Sequence, residues 1–362
     1  MDVYQRLQKR LDLHPSGAPP SEDFTRILKI MFSPDEAEIA CELTFDLQSL
    51  KKLITKTGID EKRLFETLER LADRGSIIGI KMKEQAVYSL LPTVPGLFEY
   101  PFMRAQRYAE INELAALWNK YHDETLTDAF AGSPTPQMRV IAVQHSIPIT
   151  SEVVIYDQVA EMIAKAKLFA VTDCACRVSR GNICGKPIEI CLAFDNIART
   201  LVERDRARWI SKEECLDLLK IAEEEGLVHS ISNIQDKLTL LCNCCSCCCS
   251  LLRGVKEHHN PNTVATSAYI VDLDENECIG CYICLDERCP MDVIYEKDDV
   301  VEIQTDRCIG CGLCVSVCPA DALKMKRRDP APPVPATTKE LMTTILKEKG
   351  KLDDYNRINN EK

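Results

Sequence analysis

The feature that most limits how this chain can fold is a doubled cysteine pattern spanning residues 278–319. It reads CIGCYICLDERCP from Cys278 and CIGCGLCVSVCP from Cys308. Each half sets cysteines at i, i+3 and i+6 and closes on a cysteine followed by proline. Thiolates so close together in one loop suit a cubane of iron and sulfide, which presents an iron at each of its four corners. Gly280, Gly310 and Gly312 let the loop turn sharply and bring N–H groups toward the sulfurs. Pro290 and Pro319 disfavour helix at the cysteine before them, so the chain bends away. Zinc is the weaker reading, because zinc sites pair their cysteines and close at four ligands.

The two halves form an internal repeat. The second is, residue for residue, the C-x2-C-x2-C-x3-C-P run of bacterial two-cluster ferredoxins, and residues 268–328 resemble that family. The resemblance implies a βαββαβ-type fold, two [4Fe-4S] clusters and crossed ligation, the fourth cysteine of each half serving the other half's cluster. Carried over, it assigns Cys278, Cys281, Cys284 and Cys318 to one cluster. Cys308, Cys311, Cys314 and Cys289 then hold the other. The first half departs from the family twice: four residues, 285–288, precede Cys289, and Tyr282 stands where the second half has Gly312. The extra residue is expected to bulge the loop, and neither change removes a ligand.

A chain of 362 residues has room for two or three cores, so the expectation is a multidomain α+β protein. A net charge of −11 argues against a general binder of nucleic acid or anionic membrane. No apolar run reaches the length of a membrane span. The N-terminus reads as an amphipathic helix without the apolar centre of a signal peptide, which places the protein in the cytoplasm. In such a chain, twenty cysteines point to metal rather than disulfides, and to an oxygen-poor cell.

Residues 1–100 read as a helical, winged-helix-like domain. Ser33 with Pro34 starts one helix, Gly58 and Gly75 end two more, and IIGIKMKEQAVYSL makes two short strands around residues 83–85. The helix ending at Gly75 mixes Asp60, Glu61, Glu66, Glu69 and Asp73 with Lys62, Arg63, Arg70 and Arg74. A DNA reader shows a basic excess, so this balance favours docking to protein over DNA. Residues 101–135 hold a connecting helix with Ile111, Leu114, Leu117 and Trp118 on one face, then a linker. Residues 136–267 form a cysteine-rich α/β domain, with a helix expected over 151–167 and another begun by a Ser211–Glu214 capping box. Residues 329–362 are a proline-rich linker and a polar helix carrying Leu341, Ile345 and Leu346.

The middle domain carries a second cysteine signal. DCACRVSRGNICGKPIEIC supplies Cys174, Cys176, Cys184 and Cys191, and CNCCSCCC supplies Cys242, Cys244, Cys245, Cys247, Cys248 and Cys249. If extended, the first pair points to one side. Arg177 and Arg180 are placed to donate to thiolate or sulfide. Ten thiols outside the repeat fit one or two further cubanes, an enlarged cluster, or a cluster plus zinc. Crowded thiolate-only ligation favours at least one extra iron–sulfur site over zinc alone. Cys41 and Cys215 read as packed residues, His229 as a satisfied polar group, and His258 with His259 as a solvated pair.

The winged-helix-like start, the CxCR segment, CNCCSCCC and the doubled repeat together resemble ferredoxin-domain proteins of anaerobic bacteria and archaea. That likeness implies metal content and overall architecture but no substrate. The expected function is electron transfer to or from a larger oxidoreductase. Reduction of a small substrate at the upstream cysteines is the first alternative, and a redox-responsive winged-helix transcription regulator the second. No nucleotide-binding glycine fingerprint and no catalytic triad pattern stands in the chain.

Overall fold

The structure is a computed structural model that describes every residue except 84, 105–107, 144–145, 148–158 and 361–362. The N-terminal part runs through helices Val3–Leu11, Glu22–Met31 and Pro34–Glu42, then β1 (Gln48–Ser49) and helices Leu50–Thr57 and Glu61–Arg74. It ends in β2 (Ile77–Met82) and β3 (Gln85–Leu90), which join β1 in an antiparallel sheet of order β1-β3-β2. Local chemistry sets these boundaries. Ser33 caps its helix through the Glu36 N–H while Glu36 bonds back, and Gly58 and Gly75 end theirs at positive φ.

The helix at Ile111–Tyr121 packs into this same first core through Leu114, Leu117 and Trp118, beside Phe24. The mixed-charge helix Glu61–Arg74 is engaged on two sides. Arg70 and Arg74 pair with the buried Glu36 at 3.1 and 2.7 Å, while Arg204 of the middle region reaches Asp73 at 2.6 Å and Glu69 at 3.1 Å.

The middle region is a six-stranded antiparallel sheet of order β4-β8-β9-β6-β5-β7. Its strands are β4 (Met138–Ile141), β5 (Phe169–Asp173), β6 (Glu189–Phe194), β7 (Arg208–Trp209), β8 (Val228–Ser232) and β9 (Leu240–Cys244). The helix expected over 151–167 is seen as Val159–Lys165; its first part lies outside the described residues. Ser211 caps Lys212–Glu224 as expected, but Glu214 turns outward to Arg208 at 2.7 Å, so its side chain serves an ion pair.

In the C-terminal region β10 (Tyr269–Leu273) pairs with β13 (Leu323–Arg327), and β11 (Ile294–Lys297) with β12 (Val300–Ile303), both antiparallel. The helices between them are single turns. The first half's extra residue is taken up in a π-type turn, Cys284–Arg288, against a 3-10 turn at Val315–Val317 in the second half. Gly310 is compelled: at φ +71° a Cβ there would lie 2.1 Å from the Tyr269 carbonyl oxygen.

The tail folds back as two helices, Thr338–Glu348 and Leu352–Asn359. Lys349 Nζ donates to the carbonyls of Pro15 at 2.7 Å and Ala129 at 2.6 Å, and Tyr355 stacks on Phe45 with centroids 5.7 Å apart. Leu341 and Ile345 pack on Ile234. The apolar face of the tail is thus covered by the chain itself.

Candidate metal centres

The doubled repeat builds two cysteine-walled cavities. Cys289, Cys308, Cys311 and Cys314 line one with about 370 Å³ of empty space, completed by apolar side chains such as Met291, Ile309 and Met325. Cys278, Cys281, Cys284 and Cys318 line the other, with about 360 Å³ and walls that include Leu273, Val301 and Leu323. In each cavity the fourth thiol comes from the other half of the repeat. Burial pushes Cys311 up to about 12 and Cys284 up to about 11. Bare thiolates are unfavourable there, so the donor set suits a thiophilic metal that supplies positive charge.

The two cavities differ in surroundings. The one at Cys308–Cys314 is seated on the middle region: Val143 N–H donates to the Cys311 carbonyl at 2.9 Å, and Ser146 Oγ–H to the Gly312 carbonyl at 3.0 Å. The other faces outward. Cys281 is exposed, and beside it Ile279 is 66% and Ile283 37% exposed. Asp274, Glu275, Glu277, Asp286, Asp298 and Asp299 lie exposed along the same segments.

The upstream cysteines come together through sheet order rather than sequence proximity. The register Leu192↔Leu241 brings Cys191 of β6 beside Cys242 of β9, and alternation puts Cys244 on the same face as Cys242. Asn243 between them points the other way. Its Oδ1 lies 2.7 Å from His229 Nδ1, and its Nδ2 donates to the Ile190 carbonyl at 2.7 Å. His229 is therefore a satisfied core histidine that braces β9, on a strand rather than near a turn. Cys174 does not continue an extended strand, contrary to the simplest reading of C-x-C; it caps the short helix Ala175–Ser179, and Cys176 lies within that helix. Cys249 caps Ser250–Lys256.

Two groups result. Cys184, Cys245, Cys247 and Cys248 have all their sulfurs within 4.8 Å of one another. The other thiols, Cys174, Cys176, Cys191, Cys242, Cys244 and Cys249, form a second neighbourhood, the upstream loop, in which the thiols shift one another's titration. Hydrogen bonds from neighbouring thiols, Cys248 first, hold Cys245 below the usual thiol range; those from Cys176 and Cys244 do the same for Cys249. Arg177, fully buried, lies between the groups and donates from Nη1 to the Asn243 carbonyl at 3.1 Å and to Cys245 Sγ at 3.7 Å. Arg180 instead pairs with Asp123 at 2.7 Å. Cys41 and Cys215 are buried in apolar cores, and His258 and His259 are exposed, as expected.

Two groups beside the loop carry no sequence signal. His122 is buried between Phe98 and Trp118, with ring centroids 4.5 and 5.8 Å away, and burial followed by the Arg180 charge pushes it down to about 4. Glu99 is half-buried and accepts from Gly96 N–H at 2.6 Å. Desolvation of its carboxyl pushes it up to about 7, with smaller contributions from Cys249 and Cys174. Neither sits in a motif; each reaches the loop only through folding.

Among known families, residues 271–325 match the 4Fe-4S dicluster domain, which makes this C-terminal region a ferredoxin-type domain. No curated protein and no solved structure matches the chain. Among the described residues, no helix is long and apolar enough to cross a membrane.

Proposed function

We propose that this protein is an electron carrier with two [4Fe-4S] clusters in its dicluster domain and at least one more cysteine-held metal cluster in the middle domain. It exchanges electrons with a larger oxidoreductase in the cytoplasm of an oxygen-poor cell. The observation that carries this reading is one continuous apolar core: Cys244 and Cys249 of the upstream loop share it with Cys284, Cys308, Cys311 and Cys314. Each bound cubane supplies a one-electron couple, tuned by burial, charge and hydrogen bonds. The chain orders the thiol groups from the upstream loop, through the cavity seated on Val143 and Ser146, to the outward cavity at Cys281. The exposed isoleucines and acidic rim of that outer cavity suit a partner whose docking face is apolar at its centre and basic around it.

The strand order β1-β3-β2 with the helices before it supports a winged-helix-like reading of the N-terminal region, and we read it as a docking and bracing domain. In its mixed-charge helix Arg70 and Arg74 pair with Glu36 and Arg63 with Asp35, so the arginines meet carboxylates of the same region, which disfavours a basic face for phosphate. A second reading, reduction of a small substrate at the upstream loop, draws on Glu99 and His122. These provide acid–base groups beside redox thiolates, which the sequence alone does not reveal.

Coulometric titration of anaerobically purified protein tests the electron-carrier reading. About two electrons should enter the cubane pair at low potential, with at least one more entering the upstream site. Uptake of no electrons down to the potential of dithionite would overturn it.

A further inference from the structure

We propose that Cys184, Cys245, Cys247 and Cys248 hold a single tetrahedral zinc ion, a structural site that carries no electron. This assignment goes beyond the electron-carrier reading and stands without it; the cluster of that reading falls to the other upstream thiols.

Two turns bring the four sulfurs together. Cys245, Cys247 and Cys248 lie where the chain turns from β9 into the helix Ser250–Lys256, and the Cys249 N–H closes that turn on the Cys245 carbonyl at 3.1 Å. Cys184 comes from the turn after the helix Ala175–Ser179. There the Gly185 N–H donates to the Asn182 carbonyl at 3.0 Å, and Gly185 takes a φ of +64°. Cys184 Sγ lies 3.7 Å from Cys245 Sγ, and Cys247 Sγ lies 3.7 Å from Cys248 Sγ. All four sulfurs fall within 4.8 Å of one another.

That spacing decides the occupant. A zinc–thiolate bond of about 2.3 Å gives a tetrahedron of sulfurs an edge of about 3.8 Å. A cubane carries each thiolate on a different iron corner, so its ligands stand farther apart. The chain supplies its own comparison. The cysteines of the dicluster domain line cavities of about 370 and 360 Å³, and among the described residues they form no group as tight as the quartet. Four thiolates also close the shell of a tetrahedral ion, which is the mark of structural zinc, and zinc outranks ferrous iron for such a donor set.

The surroundings fit that centre. Four thiolates on a divalent ion leave two negative charges. Arg177 is fully buried; its Nη1 donates to Cys245 Sγ at 3.7 Å, while Nε and Nη2 find no acceptor among the described residues. A buried guanidinium requires a counter-charge, and the loaded quartet supplies one. Cys245 and Cys248 pack with Ile190, Ala222 and Leu227, which keeps water from the ion. The site also has mechanical work to do. β6 and β9 pair in register at Leu192↔Leu241 and Ala193↔Leu240, and the Asn243 side chain donates to the Ile190 carbonyl at 2.7 Å. Zinc joins the turn leaving β9 to the loop entering β6. It thereby pins these strands at the end where Cys191, Cys242 and Cys244 lie.

The test uses the full-length protein, produced with iron in excess of zinc and purified without oxygen. Zinc should be present at about one per chain, and absorption at the zinc edge should show about four sulfurs near 2.3 Å with no second metal beside them. Cys184→Ala and Cys247→Ala should each take zinc from about one per chain to near zero and leave iron and labile sulfide unchanged. The dicluster signal in electron paramagnetic resonance reports whether each variant has folded. Anomalous difference maps at the zinc and iron edges place the metals in the unsubstituted protein, so the answer does not hang on the variants. A lone iron in the quartet, an iron–sulfur cluster there, or a quartet without metal would each overturn the zinc assignment, whatever the electron uptake. Zinc in the quartet with no reducible iron elsewhere would sustain it and overturn the electron-carrier reading instead.

Discussion

Replacing Cys318 by serine should disable the cluster of Cys278, Cys281 and Cys284, and leave intact the one held by Cys318's own neighbours in sequence. The two cavities dictate this crossing. Cys318 lines the outward cavity with the first-half triplet, whereas Cys308, Cys311 and Cys314 share theirs with Cys289. The short turn Val315–Val317 carries the chain from one cavity to the other. Iron should fall by about four per chain. The magnetic coupling between neighbouring reduced clusters should collapse to a single uncoupled signal in paramagnetic resonance. Cys289→Ser should give the mirror result, with the surviving signal from the outward cluster. Its effect on folding should be greater, because the Cys308–Cys314 cavity is the one seated on the middle region. Loss of the Cys308 cluster in the Cys318 variant would refute crossed ligation.

Arg177→Met should produce the second large effect, on stability and potential together. The guanidinium is fully buried, bonded to the Asn243 carbonyl and Cys245 Sγ, with the charges of Cys174 and Cys191 also bearing on it. Its removal leaves clustered thiolates without their counter-charge, a loss of about 3–5 kcal/mol for a broken buried ionic contact. Denaturant unfolding of the metal-loaded protein measures that cost. A nearby positive charge favours the more negative, reduced state of a cluster, so the upstream potential should drop. The drop should be about 60–130 mV, the one-electron equivalent of a hydrogen bond to a charged group. Arg177→Lys, which keeps charge but loses the fork, should recover part of the potential and less of the stability. An unchanged upstream potential in the Met variant would place the cluster away from Arg177.

What the sequence made legible was local chemistry. The cysteine spacing of the repeat, the Ser33 cap and the glycine stops at Gly58 and Gly75 all act over a few residues, and each appears where the pattern put it. The Fe–S character of residues 271–325 was legible for the same reason. Non-local outcomes were not. Cys191 and Cys242 become neighbours only because β6 pairs with β9, a strand order that no periodicity encodes. Cys174 and Cys176 would share one side only in an extended segment, whereas the chain turns into a helix at Cys174. Glu99 and His122 belong to the N-terminal half of the chain, more than fifty residues before Cys174, and acquire their electrostatic role only when the middle region closes over them. What covers Leu341, Ile345 and Leu346 of the tail is likewise non-local: Lys349 and Tyr355 tie the tail to Pro15 and Phe45 of the N-terminal region.

The central claim is that this chain is built around iron–sulfur electron transfer. Iron, acid-labile sulfide and zinc counted together in anaerobically purified protein test it most directly. The account predicts well over eight irons per chain, with sulfide in near-equal number. Fewer than about eight irons, with zinc filling the cysteine sites and no labile sulfide, would contradict it.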